Sequence, residues 1–393
     1  MRAELTAGWS ALYLSLVHPD FLPPISAVTA ALRSHGGRVR VLSFSSPVPG
    51  APTDDPAGEL RDAGPMQGSA LSRWRARRSF DRLGREMVDA DRPDVILASC
   101  PFTFLLALRL SNGTIPVIYQ AFEMYDFVLA DLWRSPATTA RSWWTLRKLR
   151  QAALVCTPSD ERSRWLARRA RLPTVPVTVL NAPFGGCQPG SPDLATLERI
   201  LPGGTRGRAI VLNSGAANAS YAVLELVRSV EHWPDRTRLV VTRVDDSPYA
   251  ALLRRAAEES PRRNDILLLP TVTRAEMLAL QCAATLGACL IRPTPGVPET
   301  LMPAPNKVGE YLRAGLPIVG VRGPYLDELE AQGVATLADR LEPGSIAGAI
   351  TRALAGVDAA RNRVAELANG SYRMETQVLP MRKVIKARRT RTA

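Results

Sequence analysis

The run Pro303-Ala-Pro-Asn-Lys-Val-Gly-Glu-Tyr-Leu-Arg-Ala-Gly-Leu-Pro-Ile-Val319 concentrates the chemistry of this chain. Pro305 and Asn306 open a helix, with Asn306 the expected N-cap. Gly315 ends the helix and Pro317 leads into the next strand. Lys307 and Glu310, three residues apart, share one helix face. A helix N-terminus presents unpaired N–H groups and the positive end of the dipole, so a lysine in its first turn makes it a phosphate site. A carboxylate one turn on can accept two hydrogen bonds from a vicinal diol such as a ribose. The 50 basic residues include only four lysines, Lys148, Lys307, Lys383 and Lys386. A lysine kept here among arginines points to a geometric need, because ammonium and guanidinium differ in shape and hydration. A surface Lys–Glu pair on an amphipathic helix is the alternative physical reading.

Other reactive side chains are more scattered. His18 follows the first apolar run, Ala11–Val17, and is a candidate to orient an acceptor hydroxyl or phosphate. Glu123 and Asp126 follow the run Val117–Gln120, where a carboxylate could serve as base. His35 and His232 fall at helix ends and read as structural. Asp89-Ala-Asp91 precedes a strand, the wrong edge for a metal site, and Asp245-Asp246 has no ligand neighbours in sequence. The five cysteines show no Cys-x-x-Cys spacing, so neither zinc nor a disulfide framework is expected, and a reducing cytoplasm fits.

The elements that would position these groups alternate between strand and helix. In the first part the strands are Ala11–Val17, Val39–Phe44, Val95–Ser99, Val117–Gln120, Leu154–Thr157 and Thr178–Leu180. Helical patterns fall between them, and residues 45–72 read as a loop. The pattern restarts after Asn181–Pro192, which reads as a linker, with strands Ala209–Asn213, Leu239–Thr242, Ile266–Leu269, Leu286–Ile291 and Ile318–Val321. This is an α/β fold of two doubly wound, Rossmann-like domains with parallel sheets, facing a cleft where ligands meet the carboxyl ends of the strands. The expected boundaries are 1–183, 184–368, and 369–393 for a C-terminal helix that crosses back and ends in a basic tail.

At 393 residues the chain is long enough for two cores, and a formal net charge of +13 favours anionic partners. No nucleic-acid recognition module is visible, and no stretch reaches the length of a membrane span. The expected location is cytoplasmic, with peripheral contact to the inner face of a membrane as a further expectation. Trp133, Trp143 and Trp144 among Arg134, Arg141, Arg147, Lys148 and Arg150 read as an amphipathic helix that packs its tryptophans inward or rests them on such a surface.

The run at 303–319 resembles the Pro-Asn-Lys-x-x-Glu-Tyr-x-x-Ala-Gly-x-Pro-Val-Val stretch of glycosyltransferase family 4 and its relatives, which share the GT-B plan. Val117–Tyr125, Ala152–Ser159, Val179–Pro183 and Asp265–Arg292 resemble further stretches of that family. The resemblance implies transfer of a sugar from a nucleoside-diphosphate sugar to a small-molecule or lipid-linked hydroxyl, with retention of configuration, and with no cofactor beyond the donor. By resemblance Glu310 holds the ribose, and Pro305, Asn306 and Lys307 flank the nucleotide. The loop 293–302, with Glu299 and Met302, faces the donor sugar. The departures are specific. Met302 stands where many members have a second glutamate, Phe122 where they have an acceptor-side histidine, and Gln120 where they have an aspartate. The loop Asn213–Tyr221 lacks the usual base for the diphosphate, so Gly215 and its neighbours would offer backbone N–H groups instead. Arg243, after the next strand, is the candidate for the missing charge; protein cations in that role leave no metal required. Two other readings remain open: a degenerate, non-catalytic partner of another glycosyltransferase, and a sugar-nucleotide epimerase.

Overall fold

The computed structural model describes residues 8–19, 22–45, 59–66, 68–122, 136–190, 193–201, 204, 207–293 and 305–392. Glu123, Asp126, Trp133, Glu299 and Met302 lie outside the described residues.

The chain divides into two compact units, Met1–Leu180 with Met374–Ala393, and Asn181–Arg373. Unit 1 holds strands β1 (Trp9–Leu14), β2 (Gly37–Ser43), β3 (Leu60–Asp62), β4 (Val95–Ala98), β5 (Val117–Gln120), β6 (Leu154–Thr157) and β7 (Val177–Thr178). Its helices are α1 (Pro23–Ser34), α2 (Ala70–Ala90), α3 (Pro101–Ser111), α4 (Pro136–Lys148) and α5 (Asp160–Ala170). Unit 2 holds α6 (Leu194–Ile200), β8 (Ala209–Asn213), α7 (Val223–Ser229), β9 (Thr237–Val241), α8 (Pro248–Glu259), β10 (Ile266–Leu268), α9 (Arg274–Ala283) and β11 (Leu286–Cys289). It continues with α10 (Asn306–Arg313), β12 (Ile318–Val321), α11 (Pro324–Ala331), β13 (Ala335–Ala338), α12 (Pro343–Ala355) and α13 (Val357–Asn369). The chain then returns to unit 1 as α14 (Met374–Gln377) and α15 (Leu379–Thr392).

Both sheets are parallel throughout, with orders β3-β2-β1-β4-β5-β6-β7 and β10-β9-β8-β11-β12-β13. The central strands are apolar on both faces because helices cover both, as parallel sheets require. In each order the chain reverses direction across the sheet once, between β1 and β4 in unit 1 and between β8 and β11 in unit 2. At such a switch point the two flanking connections leave to opposite faces and open a crevice at the carboxyl ends of the strands.

Several expectations shift. The first strand stops at Leu14, so Ser15–His18 already lie beyond the sheet. The expected loop 45–72 contains β3, three residues of Leu-Arg-Asp with no alternating pattern to reveal them; β3 pairs with β2 at Val41↔Leu60. The second sheet has a sixth strand, β13, whose Ala-Thr-Leu-Ala sequence is too short to stand out. The residues read as a linker are stitched to unit 2: the Gln188 N–H donates to the Arg313 carbonyl at 2.6 Å and the Cys187 N–H to Asn369 Oδ1 at 3.1 Å. Trp144 is 50% exposed and stacks edge-on against half-buried Trp143, so α4 does not pack both tryptophans inward.

Candidate functional site

The unit 2 switch point is built around α10. Pro305, with φ −70° and ψ 132°, takes the cap position, and Asn306 is the first helical residue. That corrects the N-cap expectation: the proline ring already sets the extended backbone a cap needs. The Asn306 side chain instead accepts a hydrogen bond through Oδ1 from Asn181 Nδ2 at 2.9 Å. Among the described residues no side chain caps this helix end.

Gly309 and Tyr311 seat α10 against its surroundings. Gly309 has the Asn181 carbonyl where a Cβ would be, 2.0 Å from that position, so nothing larger fits. Tyr311 is fully buried; its hydroxyl donates to the Leu212 carbonyl at 3.0 Å, with the Ala288 carbonyl at 3.2 Å, and accepts from the Ser214 N–H at 2.9 Å. Burial pushes the Tyr311 phenol well above its ordinary pKa, so it stays a neutral donor and acceptor. Tyr311 thereby fixes the backbone just past β8, and Gly215 follows with φ +99°, a left-handed conformation glycine adopts without strain.

Lys307 extends into this corner. It is 7% exposed, its Nζ donates to Asn213 Oδ1 at 3.1 Å, and Nζ lies 4.7 Å from the centroid of the Tyr221 ring. Asn213 is the last residue of β8, and among the described residues its buried Nδ2 has no hydrogen-bond partner. The Gly215 Cα faces the same lysine stem: a Cβ there would stand 3.7 Å from Lys307 Cε. Among the described residues no carboxylate pairs with this ammonium. Burial holds its pKa below the ordinary lysine value, and the neighbouring Cys289 thiol at the end of β11 opposes that only in part. A buried ammonium, an orphaned amide N–H and an uncapped helix N-terminus thus converge where the strand order reverses. All are donors and none is acidic, the chemistry that receives an anion.

Glu310, one turn on, points elsewhere. Its carboxylate forms an ion pair with the Arg274 guanidinium, and both side chains are largely buried. Arg274 opens α9, whose Thr273 and Glu276 make a reciprocal capping box. Arg243 lies two residues past β9, exposed and left-handed at φ 59°. The Asn213 carbonyl accepts from the N–H of its neighbour Thr242 at 3.1 Å, so Arg243 shares the sheet edge that carries Lys307's partner. The structure therefore joins Lys307, Gly215 and Asn306 in one corner and puts Arg243 on the same edge, while Glu310 belongs to a second cluster with Arg274. Sequence reasoning gave no role to the side chains of Asn213, Tyr311 or Arg274. Their shared signal is position, each at the carboxyl edge of a strand or on the motif helix itself.

In unit 1, His18 lies past β1 and is 3% exposed. His35 at the end of α1 has its Nε2 3.2 Å from the Glu375 carbonyl. Asp245 accepts from the Ser247 N–H at 3.0 Å and Asp246 pairs with Arg254 at 3.4 Å, both local contacts around the start of α8. Among the described residues no three His, Cys, Asp or Glu side chains converge as metal ligands would.

Residues 25–183 match the family described as glycosyl transferase 4-like domain. No curated protein gives a significant match. The fold is that of solved GT-B proteins. Sucrose-phosphate synthase from Thermosynechococcus elongatus superposes with a TM-score of 0.70 at 16% identity, covering 98% of this chain and 100% of that one. HepE from Anabaena, solved in complex with UDP and glucose, gives 0.65 at 14%, covering 96% and 100%. The UDP-forming alpha,alpha-trehalose-phosphate synthase from Burkholderia vietnamiensis gives 0.64 at 15%, covering 98% and 100%.

Proposed function

We propose that this GT-B chain, which carries a glycosyl transferase 4-like domain over residues 25–183, transfers a sugar from a nucleoside-diphosphate sugar to a hydroxyl acceptor. UDP is the first nucleotide to test, because HepE was solved with it. The observation that carries the reading is the buried, carboxylate-free Lys307 beside the orphaned Asn213 amide.

In this reading the donor diphosphate lies at the β8 edge. Its β-phosphate takes hydrogen bonds from Lys307 Nζ, Asn213 Nδ2 and the backbone N–H groups of Gly215 and of the first turn of α10. When the C1–O bond to the β-phosphate breaks, the electron pair and a growing negative charge stay on the diphosphate, which those donors stabilise without rearranging. The acceptor oxygen bonds to C1 and its proton leaves to the diphosphate. Glu310 accepts from the ribose hydroxyls, with Arg274 holding the carboxylate in place. Retention of configuration and independence from metal belong to the same proposal: Lys307 and Arg243 supply the positive charge a metal would otherwise bring. A small-molecule or lipid-linked acceptor, met in unit 1 by His18 and Glu123, completes it.

Thermal melting against UDP, GDP, TDP, CDP and ADP tests the donor half. A nucleotide at 100 times its dissociation constant adds about 2.7 kcal/mol, or roughly 5–10 °C for a unit of this size. A shift with one base, lost in Glu310→Gln, supports the reading. No shift with any nucleotide sinks it and favours a non-catalytic partner. Isomerised donor formed with no acceptor present would identify an epimerase instead, and turnover abolished by EDTA would reject metal independence.

A further inference from the structure

The switch point of unit 1 carries a second cluster of cations. Past β4 the chain enters α3 at Pro101, and two guanidinium groups approach the half-buried ring of Phe102. Arg77 of α2 has its Cζ 5.8 Å from the ring centroid and Arg141 of α4 has its Cζ 5.6 Å away. Arginines nearby are neutralised: Arg82 pairs with Glu86, and Arg85 and Arg109 pair with Asp81. Among the described residues Arg77 and Arg141 have no such carboxylate. The buried Nε of Arg77 also lacks a hydrogen-bond acceptor among them. Burial, and then the nearby charge of Arg77, lower the pKa of Arg141. Two like charges held half out of water around one ring are costly unless an anion joins them.

We propose that Arg77, Arg141 and the Phe102 turn form a phosphate-binding site in unit 1, separate from the donor corner in unit 2. Two guanidinium forks offer the convergent N–H donors that a phosphate takes in bidentate fashion, and the α3 N-terminus adds its dipole. The phosphate is that of a phosphate ester, either a soluble molecule or a lipid headgroup. The large exposed side chains Trp74 of α2 and Trp144 of α4 stand on the two helices that carry the arginines. This inference does not depend on the sugar-transfer reading.

The test uses the full chain bearing Lys307→Met, so that the donor corner does not contribute. Inorganic pyrophosphate is titrated by calorimetry into this protein and into the same protein with Arg77→Gln and Arg141→Gln added. Binding at least ten-fold weaker in the second protein is expected, as lost charge-assisted bonds to phosphate require. A parallel arm sediments both proteins with vesicles of phosphatidylcholine alone or with phosphatidylglycerol added. A loss confined to the phosphatidylglycerol vesicles assigns the phosphate to a bilayer headgroup; a loss with pyrophosphate assigns it to a free ester. Equal binding by the two proteins in both arms overturns the site. The melting temperature is the folding control: removing uncompensated charge leaves it equal or higher, and Arg141→Gln alone replaces the pair if it falls.

Discussion

Replacing Lys307 by Met keeps an apolar stem out to Cε, with sulfur in place of Cδ, and removes the ammonium. In the free protein the loss is small. One charged hydrogen bond to Asn213 Oδ1 at 3.1 Å and one cation–π contact at 4.7 Å disappear. The burial penalty on the ammonium disappears with them, so stability should change by no more than about 1 kcal/mol at pH 7. The effect on a bound diphosphate is larger, because a charge-assisted bond in a buried corner contributes about 1.5–3 kcal/mol, or roughly 10–150-fold in dissociation constant. Calorimetry with UDP and uridine in parallel separates the two: UDP should weaken by that factor and uridine hardly at all. Equal weakening of both, or unchanged UDP affinity, would refute the assignment of Lys307 to the diphosphate. The pH dependence gives a second check. Folding lowers the pKa of Lys307 below its ordinary value of 10.5, mainly by burial. Between the lowered folded value and the unfolded one the unfolded chain binds more protons, so stability rises with pH across that window. The stability difference between the native protein and Lys307→Met should therefore grow in favour of the native protein as pH climbs toward 10.5, and a flat difference would mean the lysine is not desolvated. UDP binding should show the reverse trend, since a bound diphosphate favours the ammonium.

Gly309→Ala places a methyl 2.0 Å from the Asn181 carbonyl, and should cost at least about 1–3 kcal/mol, read as a fall in the melting temperature of unit 2. Tyr311→Phe leaves the Ser214 N–H without its acceptor; denaturant unfolding should report about 1–3 kcal/mol lost, with UDP affinity falling as the Ser214–Gly215 turn loosens. Glu310→Gln should weaken UDP and uridine by the same factor, the opposite pattern to Lys307→Met. Arg274→Gln should do so by a smaller factor, since it removes the partner of that carboxylate and not the carboxylate itself. A uridine affinity unmoved by Glu310→Gln would remove the ribose role.

Apolar runs between turn residues were enough to read the parallel sheets, because strands buried on both faces show as continuous hydrophobic stretches. Val117–Gln120, Leu154–Thr157, Ala209–Asn213 and Ile318–Val321 fall where that reading put them. What escaped it was short or polar: β3 is Leu-Arg-Asp, and β13 is built largely of small residues. Lys307 stood out in the sequence by its rarity and its place at a helix start, but its partner did not, since Asn213 lies 94 residues away and only the fold brings them together. The same holds for Arg274, 36 residues from Glu310, and for the two arginines around Phe102. The Asn306 expectation failed on a local competition, in which Pro305 took the cap and left the asparagine free to bond Asn181.

Unit 1 is discontinuous along the chain. The Leu180 N–H donates to Gln377 Oε1 at 3.1 Å, and His35 meets the carbonyl of Glu375. During synthesis, domains ordinarily close in the order they leave the ribosome. Here the first unit to begin waits for residues 374–393, while all of unit 2 has already emerged. The apolar residues Met374, Val378, Met381 and Ile385, all buried in the folded protein, are the last of its core to be made. A released chain that stops just before residue 374 would thus hold a completed unit 2 joined to an unfinished unit 1, and would expose the earlier half to proteolysis rather than the later one.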